Sequence, residues 1–228
     1  FGAVMGQGVI WYTGQFYAQS FLETKCSIQF EQSRTIMLWA IAFGTPFFLL
    51  FGWLSDKWGR KWIMLLGMLL GVILYRPIFS EFLKDTDSKE WMKTNYMAIK
   101  EEVKKSMYKN DSLLQVSVQY ATPDGSVFTR VTTDTLNRSD TLLNILQSQK
   151  NAVIINKKVN LATYMKFIFL VWVMIVMVTM VYGPIAAFLV EMFPTKIRYT
   201  SMSLPYHIGN GVFGGLVPFI GLLLTTTY

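Results

Sequence analysis

The sequence predicts an all-α polytopic membrane protein that carries a small soluble α+β insert. Two features of composition predict this class. Of the 228 residues, 52% are hydrophobic and only 15% are charged, against about 25% charged in an ordinary soluble domain. The apolar residues also form long uncharged runs, while 12 basic and 10 acidic residues gather in the segment 80–163. The runs predict membrane spans, and the polar segment predicts a separate folded insert.

Five runs approach the roughly 20 residues that a helix needs to cross the hydrocarbon core. One such run is compatible with a buried helix of a soluble protein. Five runs in one chain leave no polar face for water, which favours membrane spans. The predicted spans are residues 1–22, 36–54, 62–79, 167–190 and 202–224.

Basic residues near the ends of the spans predict the orientation. Lys57, Arg60 and Lys61 follow the second span, and Lys196 and Arg198 follow the fourth. Short basic links remain on the cytoplasmic side, so both links are predicted to be cytoplasmic and the insert extracytoplasmic. Lysines also flank the insert, but loops longer than about 60 residues translocate largely regardless of charge.

Within the insert, sequence patterns predict an αββαβ order. Apolar residues at helical spacing predict an amphipathic helix over 88–109, and alternation predicts strands over 114–120 and 127–131. The sequence Pro-Asp-Gly at 123–125 predicts the turn between these strands. A second helix is predicted over 139–149 and a third strand over 152–155.

The link after the second span carries a motif with a known counterpart. Residues 52–61 read GWLSDKWGRK, with Gly52, Asp56, Gly59, Arg60 and Lys61 at fixed spacing. This stretch resembles the G-x-L-x-D-x-x-G-R-K loop of the major facilitator superfamily. The resemblance implies a gate, in which the acidic residue makes charge and helix-dipole contacts that hold one conformation. The competing interpretation is a plain basic anchor loop.

Three further segments, 6–17, 182–200 and 203–215, resemble the metabolite:proton symporter family within that superfamily. The resemblance covers all five spans in order and implies spans seven to eleven of twelve in the major facilitator fold. Residues 1–79 would then form spans seven to nine, 80–163 the insert, and 164–228 spans ten and eleven. Because the first apolar run is already under way at Phe1, we expect a fragment whose N-terminal half lies outside this sequence.

Polar side chains within the spans predict a solute cavity. Gln7, Trp11 and Gln15 share one helix face, since they recur every four residues. Facing lipid they would be costly, which favours a water-filled cavity, although hydrogen bonding between helices is the alternative. The predicted cavity residues are Gln7, Trp11, Tyr12, Gln15, His207 and Asn210.

Two residues are candidates for proton coupling. His207 is the only histidine, and imidazole gains or loses a proton near neutral pH. Glu191 directly follows the fourth apolar run, and we expect it to pair with Lys196 or Arg198 or to cap the bundle electrostatically. For both, an ordinary structural hydrogen bond or ion pair is the competing interpretation.

Together these features predict a secondary active transporter, not an enzyme, in the cell membrane. The expected activity is proton-coupled symport of a small polar organic solute, carboxylate or betaine-like, by alternating access. No metal, other cofactor or nucleic acid is expected; the expected partners are the solute, protons, the lipid bilayer and the rest of the transporter. A proton-independent uniporter and a membrane-anchored binding or sensor domain remain alternatives.

Overall fold

A computed structural model describes residues 2–93, 97–108, 111–135 and 152–227, which form a helical bundle with one β-sheet. In the first part of the chain the helices are α1 (Gly2–Tyr12), α2 (Ala18–Thr24), α3 (Phe30–Gly44), α4 (Pro46–Trp58), α5 (Arg60–Asp85) and α6 (Ser88–Lys93). After the sheet come α7 (Leu161–Met192), α8 (Arg198–His207) and α9 (Gly215–Thr227). Two π-helical segments, π1 (Thr13–Tyr17) and π2 (Ile208–Gly214), join α1 to α2 and α8 to α9.

Four helical stretches of the described residues are long and apolar enough to cross a membrane. They are Phe30–Trp58, Arg60–Trp91, Leu161–Met192 and Arg198–Leu224. Each contains one of the last four predicted spans. The helical membrane character of the chain is therefore confirmed.

The first predicted span, residues 1–22, differs from the others. It is helical from Gly2 through π1 to Thr24, but it is not among the four stretches. The reason lies in its side chains, since Gln7, Gln15 and Gln19 lower its hydropathy. The segment nevertheless packs against α7. Helix α7 is more deeply buried than the other long helices.

The polar segment forms a four-stranded antiparallel meander in the order β1-β2-β3-β4. Its strands are β1 (Met97–Tyr108), β2 (Asp111–Ala121), β3 (Val127–Thr135) and β4 (Ala152–Lys158). The predicted strands over 114–120, 127–131 and 152–155 all lie within β2, β3 and β4. The predicted helix over 139–149 lies outside the described residues.

The predicted helix over 88–109 is wrong beyond its first turns. Among the described residues of this range only α6 is helical, and the segment from Met97 pairs with β2 as strand β1. The prediction rested on a sequence spacing of four residues, which fits the period of a strand as well as that of a helix. Pairing along nearly the whole length of β2 decides between the two structures.

The sheet is fastened to three helices at the end of the bundle away from the α4–α5 link. The Lys157 ammonium, in a residue only 2% exposed, donates to the Thr86 carbonyl and to the Ser88 hydroxyl beyond α5. Its backbone pairs with Ser27 and Gln29, just before α3. Burial lowers the pKa of Lys157. The buried ammonium and the paired backbone therefore join β4 to the ends of two helices.

Two further contacts complete this attachment. The Gln32 side-chain amide of α3 accepts from the Val159 N–H at 2.9 Å and donates to the Val159 carbonyl at 3.0 Å. Asn160 caps α7 by accepting from the Thr163 N–H, and its side-chain amide also donates to Asp124 in the β2–β3 turn. Residues 157–160 thus connect the sheet to α3, α5 and α7.

Candidate functional site

The link between α4 and α5 is a single residue, Gly59. The sequence predicted a link over 55–61, but α4 continues to Trp58 and α5 begins at Arg60. Gly59 has φ +94° and ψ 128°, a left-handed conformation that glycine adopts without steric cost. The sharp break holds Asp56, at the end of one helix, close to Arg60, at the start of the next.

Arg60 connects three helices through two ion pairs. Its Nη2 lies 3.1 Å from Asp56 Oδ1 and 2.8 Å from Glu191 Oε1, which is near the end of α7. The Arg60 side chain is 22% exposed, whereas those of Asp56 and Glu191 are 62% and 61% exposed. We call these three residues the arginine cluster. Its carboxylates stay solvated, so each pair contributes at most about 1 kcal/mol.

The partner predicted for Glu191 was wrong. Glu191 pairs with Arg60 rather than with Lys196 or Arg198, and Arg198 donates its Nε–H to the Phe193 carbonyl at 3.2 Å. That bond closes the chain turn directly after α7 and directs the guanidinium toward the backbone. The ion pair brings together the two links that the charge pattern had placed on one side of the membrane.

The other residues of the motif have separate positions. Lys57 lies over the Trp53 ring at 4.0 Å, and Lys61 lies 5.9 Å from the Trp62 ring centroid. Gly52 lies inside α4, where its backbone approaches Gly183 of α7. The aromatic contacts place both lysines outside the arginine cluster.

A second charge cluster lies at the opposite end of α5 and α7. The Lys166 ammonium is 2.8 Å from Glu81 Oε2 and 2.7 Å from Asp85 Oδ2. We call Glu81, Asp85 and Lys166 the lysine cluster. The two long helices are therefore joined by ion pairs at both ends.

The predicted cavity residues fall into two groups. Gln7 is 1% exposed, and neither its Nε2 nor its Oε1 has a hydrogen-bond partner among the residues that the structure describes. The Trp11 ring, one turn further along α1, lies 4.5 Å from the Tyr182 ring of α7. The Asn210 Nδ2 in π2 is likewise buried and unpaired. These three side chains point into the bundle.

The remaining cavity candidates are less enclosed. Tyr12 and Gln15 are half-buried, and the Tyr12 ring stacks on Phe16 at 5.2 Å. His207 is exposed, with its ring 6.3 Å from that of Tyr206. Glu191 is held in the arginine cluster at one end of the bundle, so the two proton-coupling candidates belong to different parts of the structure.

Close backbone contact between α1 and π2 positions the inward group. A Cβ atom on Gly8 would lie 2.6 Å from the Gly209 carbonyl oxygen, so only glycine permits this approach. Gln15 and Asn210 each lie in a π-helical segment, and such segments occur frequently at functional sites. The residues that the sequence analysis selected on α1 and π2 are therefore neighbours in the structure.

A hydrogen bond that no sequence pattern predicted lies beside them. The Tyr182 and Tyr206 hydroxyl oxygens are 2.7 Å apart and join α7 to α8. Both residues were part of motifs used for the family resemblance. Neither was singled out, because a lone tyrosine in an apolar run gives no periodic signal.

Comparison with known proteins gives one partial similarity. A stretch of 47 residues is 38% identical to the inner membrane metabolite transport protein YhjE of Escherichia coli strain K12. The match covers 21% of this chain and 11% of that protein, so the chain spans only a small part of its relative. No family profile and no solved structure matches the chain. The similarity is thus to a membrane transport protein, over one segment.

Proposed function

We propose that the chain is part of a secondary active transporter of the major facilitator fold, working by alternating access. The observation that carries the proposal is the arginine cluster, which ties α4, α5 and α7 together across a one-residue link. Exposed ion pairs of this kind are weak enough to break and reform in each cycle. The similarity to a metabolite transport protein supports the same function.

In this proposal Asp56, Arg60 and Glu191 form a latch on the cytoplasmic side, with Gly59 as its turn and Gly52 at the approach of α4 to α7. Residues 1–79 and 164–228 form spans seven to eleven of twelve, and 80–163 is an extracytoplasmic insert. Gln7, Trp11 and Asn210 line the solute path, with Tyr12, Gln15 and His207 nearer its edge. The missing half of the transporter completes the cavity.

The transported solute is a small polar organic molecule, and its uptake is coupled to protons. His207 is the coupling candidate of this half, because it is exposed rather than sealed in the bundle and so stays open to water from the path. Glu191 is the weaker candidate, since its carboxylate is already committed to Arg60.

Uptake by the full-length protein in proteoliposomes tests this function. An inward proton gradient should raise accumulation of an organic solute several-fold, and a protonophore should abolish the increase. Asp56→Asn should lower initial uptake by up to about fivefold, which corresponds to about 1 kcal/mol, whereas Lys57→Gln, one residue away and outside the cluster, should leave it within about twofold.

Other outcomes would contradict separate parts of the proposal. Uptake that ignores the proton gradient would contradict symport and favour a uniporter. Equal loss in both variants would contradict the latch. Absence of uptake for every solute in a broad screen would contradict transport itself.

A second candidate function is a binding or sensor role for the insert. A cleft of about 560 Å³ lies between the sheet and the start of α3, lined in part by Gln29, Glu31 and Lys158. Deleting residues 84–160 distinguishes the two functions. If uptake is retained, transport does not require the insert, and a sensor role for the insert is contradicted. If the solute no longer binds although the helical bundle is intact, the sensor role is favoured.

A further inference from the structure

Three tryptophans lie on either side of Gly59, and the arginine cluster does not use them. Trp53, Trp58 and Trp62 are 58%, 67% and 67% exposed, although tryptophan is buried on average. In membrane proteins tryptophan gathers where the hydrocarbon meets the headgroups, because its ring is largely apolar and its N–H is polar. The three rings therefore indicate that this end of α4 and α5 lies at the membrane surface.

Two of these tryptophans continue exposed apolar faces of their helices. On α4 the exposed side chains of Leu49, Leu50 and Trp53 share one face, and Lys57 lies one turn beyond Trp53. The corresponding face of α5 is formed by Trp62, Leu65, Leu66, Leu69, Val72 and Ile73. An apolar face of this length that the protein leaves uncovered is suited to contact acyl chains. Each face ends, at the Gly59 link, in a tryptophan and a lysine.

Lys57 and Lys61 lie beside the rings of the same two tryptophans. The Lys57 ammonium is 4.0 Å from the Trp53 ring centroid, and the Lys61 ammonium is 5.9 Å from that of Trp62. A cation over an aromatic face keeps its charge and its N–H donors. Among the residues that the structure describes, neither lysine has an ion-pair partner, whereas Arg60 between them pairs with two carboxylates. Two positive charges therefore remain uncompensated beside rings at the membrane surface.

The charge of this end of the bundle favours an anionic partner. Segments 55–61 and 191–200 carry five basic and two acidic residues, a net charge of +3. Lysines near a membrane surface attract anionic phospholipids, and the effect falls off within a Debye length. A soluble phosphate would satisfy the lysines alone. A phospholipid also supplies acyl chains for the apolar faces that lead to them.

We propose that Lys57 and Lys61, with Trp53 and Trp62, form a binding site for anionic phospholipids. The lipid phosphate accepts hydrogen bonds from the ammonium groups, and the acyl chains lie along the apolar faces of α4 and α5. The inference does not rest on transport, because it requires only that both helices cross the bilayer.

The test uses quenching of tryptophan fluorescence in the full-length protein by brominated lipids. Brominated phosphatidylglycerol or brominated phosphatidylcholine is titrated into vesicles of unlabelled phosphatidylcholine that hold the protein. The contribution of Trp53 and Trp62 is the difference between the unmodified protein and a variant in which both are replaced by Phe. All four side chains of the site are exposed, so these variants and those at the lysines remove no buried contact.

The quenching of these two rings should require much less brominated phosphatidylglycerol than brominated phosphatidylcholine. Lys57→Gln and Lys61→Gln should each lower that preference about fivefold, the factor expected for one lysine at an anionic surface. Lys84→Gln is the matched control at the opposite end of α5. Its ammonium lies 3.9 Å from Glu81 Oε1, and the variant should keep the preference of the unmodified protein.

Four outcomes would overturn the proposal. Equal quenching by the two lipids would show that the site does not select anionic headgroups. An unchanged preference in the variant that lacks both lysines would place the selection elsewhere. Absence of quenching by either lipid would show that another part of the full-length protein covers the rings. Loss of the preference when inorganic phosphate is added to the buffer would show that the lysines bind a soluble anion rather than a lipid.

Discussion

The two ends of the α5–α7 pair use the same charge arrangement but differ in everything around it. Each end holds one cation between two carboxylates: Arg60 in the arginine cluster and Lys166 in the lysine cluster. The end with Lys166 is additionally fastened by the insert. There, Lys157 donates to Thr86 and Ser88 just beyond α5, and the Gln32 side chain of α3 exchanges two hydrogen bonds with the backbone of Val159 just beyond β4.

The difference indicates which end would open if the proposed latch operates. Exposed ion pairs contribute little, whereas buried backbone hydrogen bonds are costly to leave unpaired. The end with Arg60 is joined mainly by contacts that water can replace. The end with Lys166 is fixed by contacts that water reaches poorly. The proposed latch at Arg60 would require this distribution, with weak contacts at one end and stable contacts at the other.

The largest effect is expected at the insert attachment. Gln32→Leu leaves the Val159 N–H and carbonyl without their partner, and Val159 is buried. We expect a loss of about 2–6 kcal/mol in unfolding free energy, from two buried backbone groups at about 1–3 kcal/mol each. Thermal unfolding of the purified protein, followed by tryptophan fluorescence, measures it.

The control for this variant is Gln19→Leu, which removes a side-chain hydrogen bond to Glu23 on α2 and leaves the backbone pairing intact. Its effect should stay below about 1 kcal/mol. Equal losses in the two glutamine variants would mean that the insert attachment is not a special source of stability.

A smaller effect is expected in the turn that the insert presents to α7. Burial alone would raise the pKa of Asp124. Hydrogen bonds from Thr122, Ser126 and Asn160 outweigh that effect and hold the pKa below its usual range. Asp124→Asn should therefore cost about 1 kcal/mol at neutral pH.

The pH dependence of that loss follows from the lowered pKa. The stabilisation is present above the usual carboxyl value of about 3.9 and disappears as pH falls through the lower folded value. The difference between the unmodified protein and Asp124→Asn should thus be constant from pH 5 to 7, in thermal unfolding, and vanish in strong acid. A difference that persisted in strong acid would show that the charge is not its source.

The smallest stability effects are expected at the two ion-pair clusters. Variants of these clusters compare the two ends of the α5–α7 pair most directly. Arg60→Gln and Lys166→Gln should each lower the unfolding free energy by no more than about 1 kcal/mol. Their effects on uptake should diverge, with a loss of at least tenfold for Arg60→Gln and less than about twofold for Lys166→Gln. Parallel losses of uptake would remove the functional distinction between the ends.

Much of the helical architecture was predictable from sequence, because uncharged runs of sufficient length have few alternatives to a membrane-spanning helix. The strands β2, β3 and β4 were predictable from alternation and from the turn at 123–125. Strand β1 was not predictable, since a spacing of four residues fits both a helix and a strand. Its pairing with β2 selects the strand, and that pairing is a tertiary contact.

The candidate site was predictable only in part. The inward position of Gln7 follows from the cost of exposing an amide to lipid. The partner of Glu191 could not be predicted in this way. Lys196 and Arg198 are close to Glu191 in sequence and were therefore expected, whereas the observed partner, Arg60, is distant in sequence. The hydrogen bond between Tyr182 and Tyr206 depends on how α7 packs against α8. No sequence pattern within either helix predicts that packing.

The most direct test of the account is a double-mutant cycle on the pair of Arg60 and Glu191. Initial uptake is measured for the full-length protein, Arg60→Gln, Glu191→Gln and the double variant. If the pair acts as one latch, each single change lowers uptake several-fold and the double variant loses no more than the worse single variant. Losses that multiply, or uptake unchanged in all three variants, would contradict it.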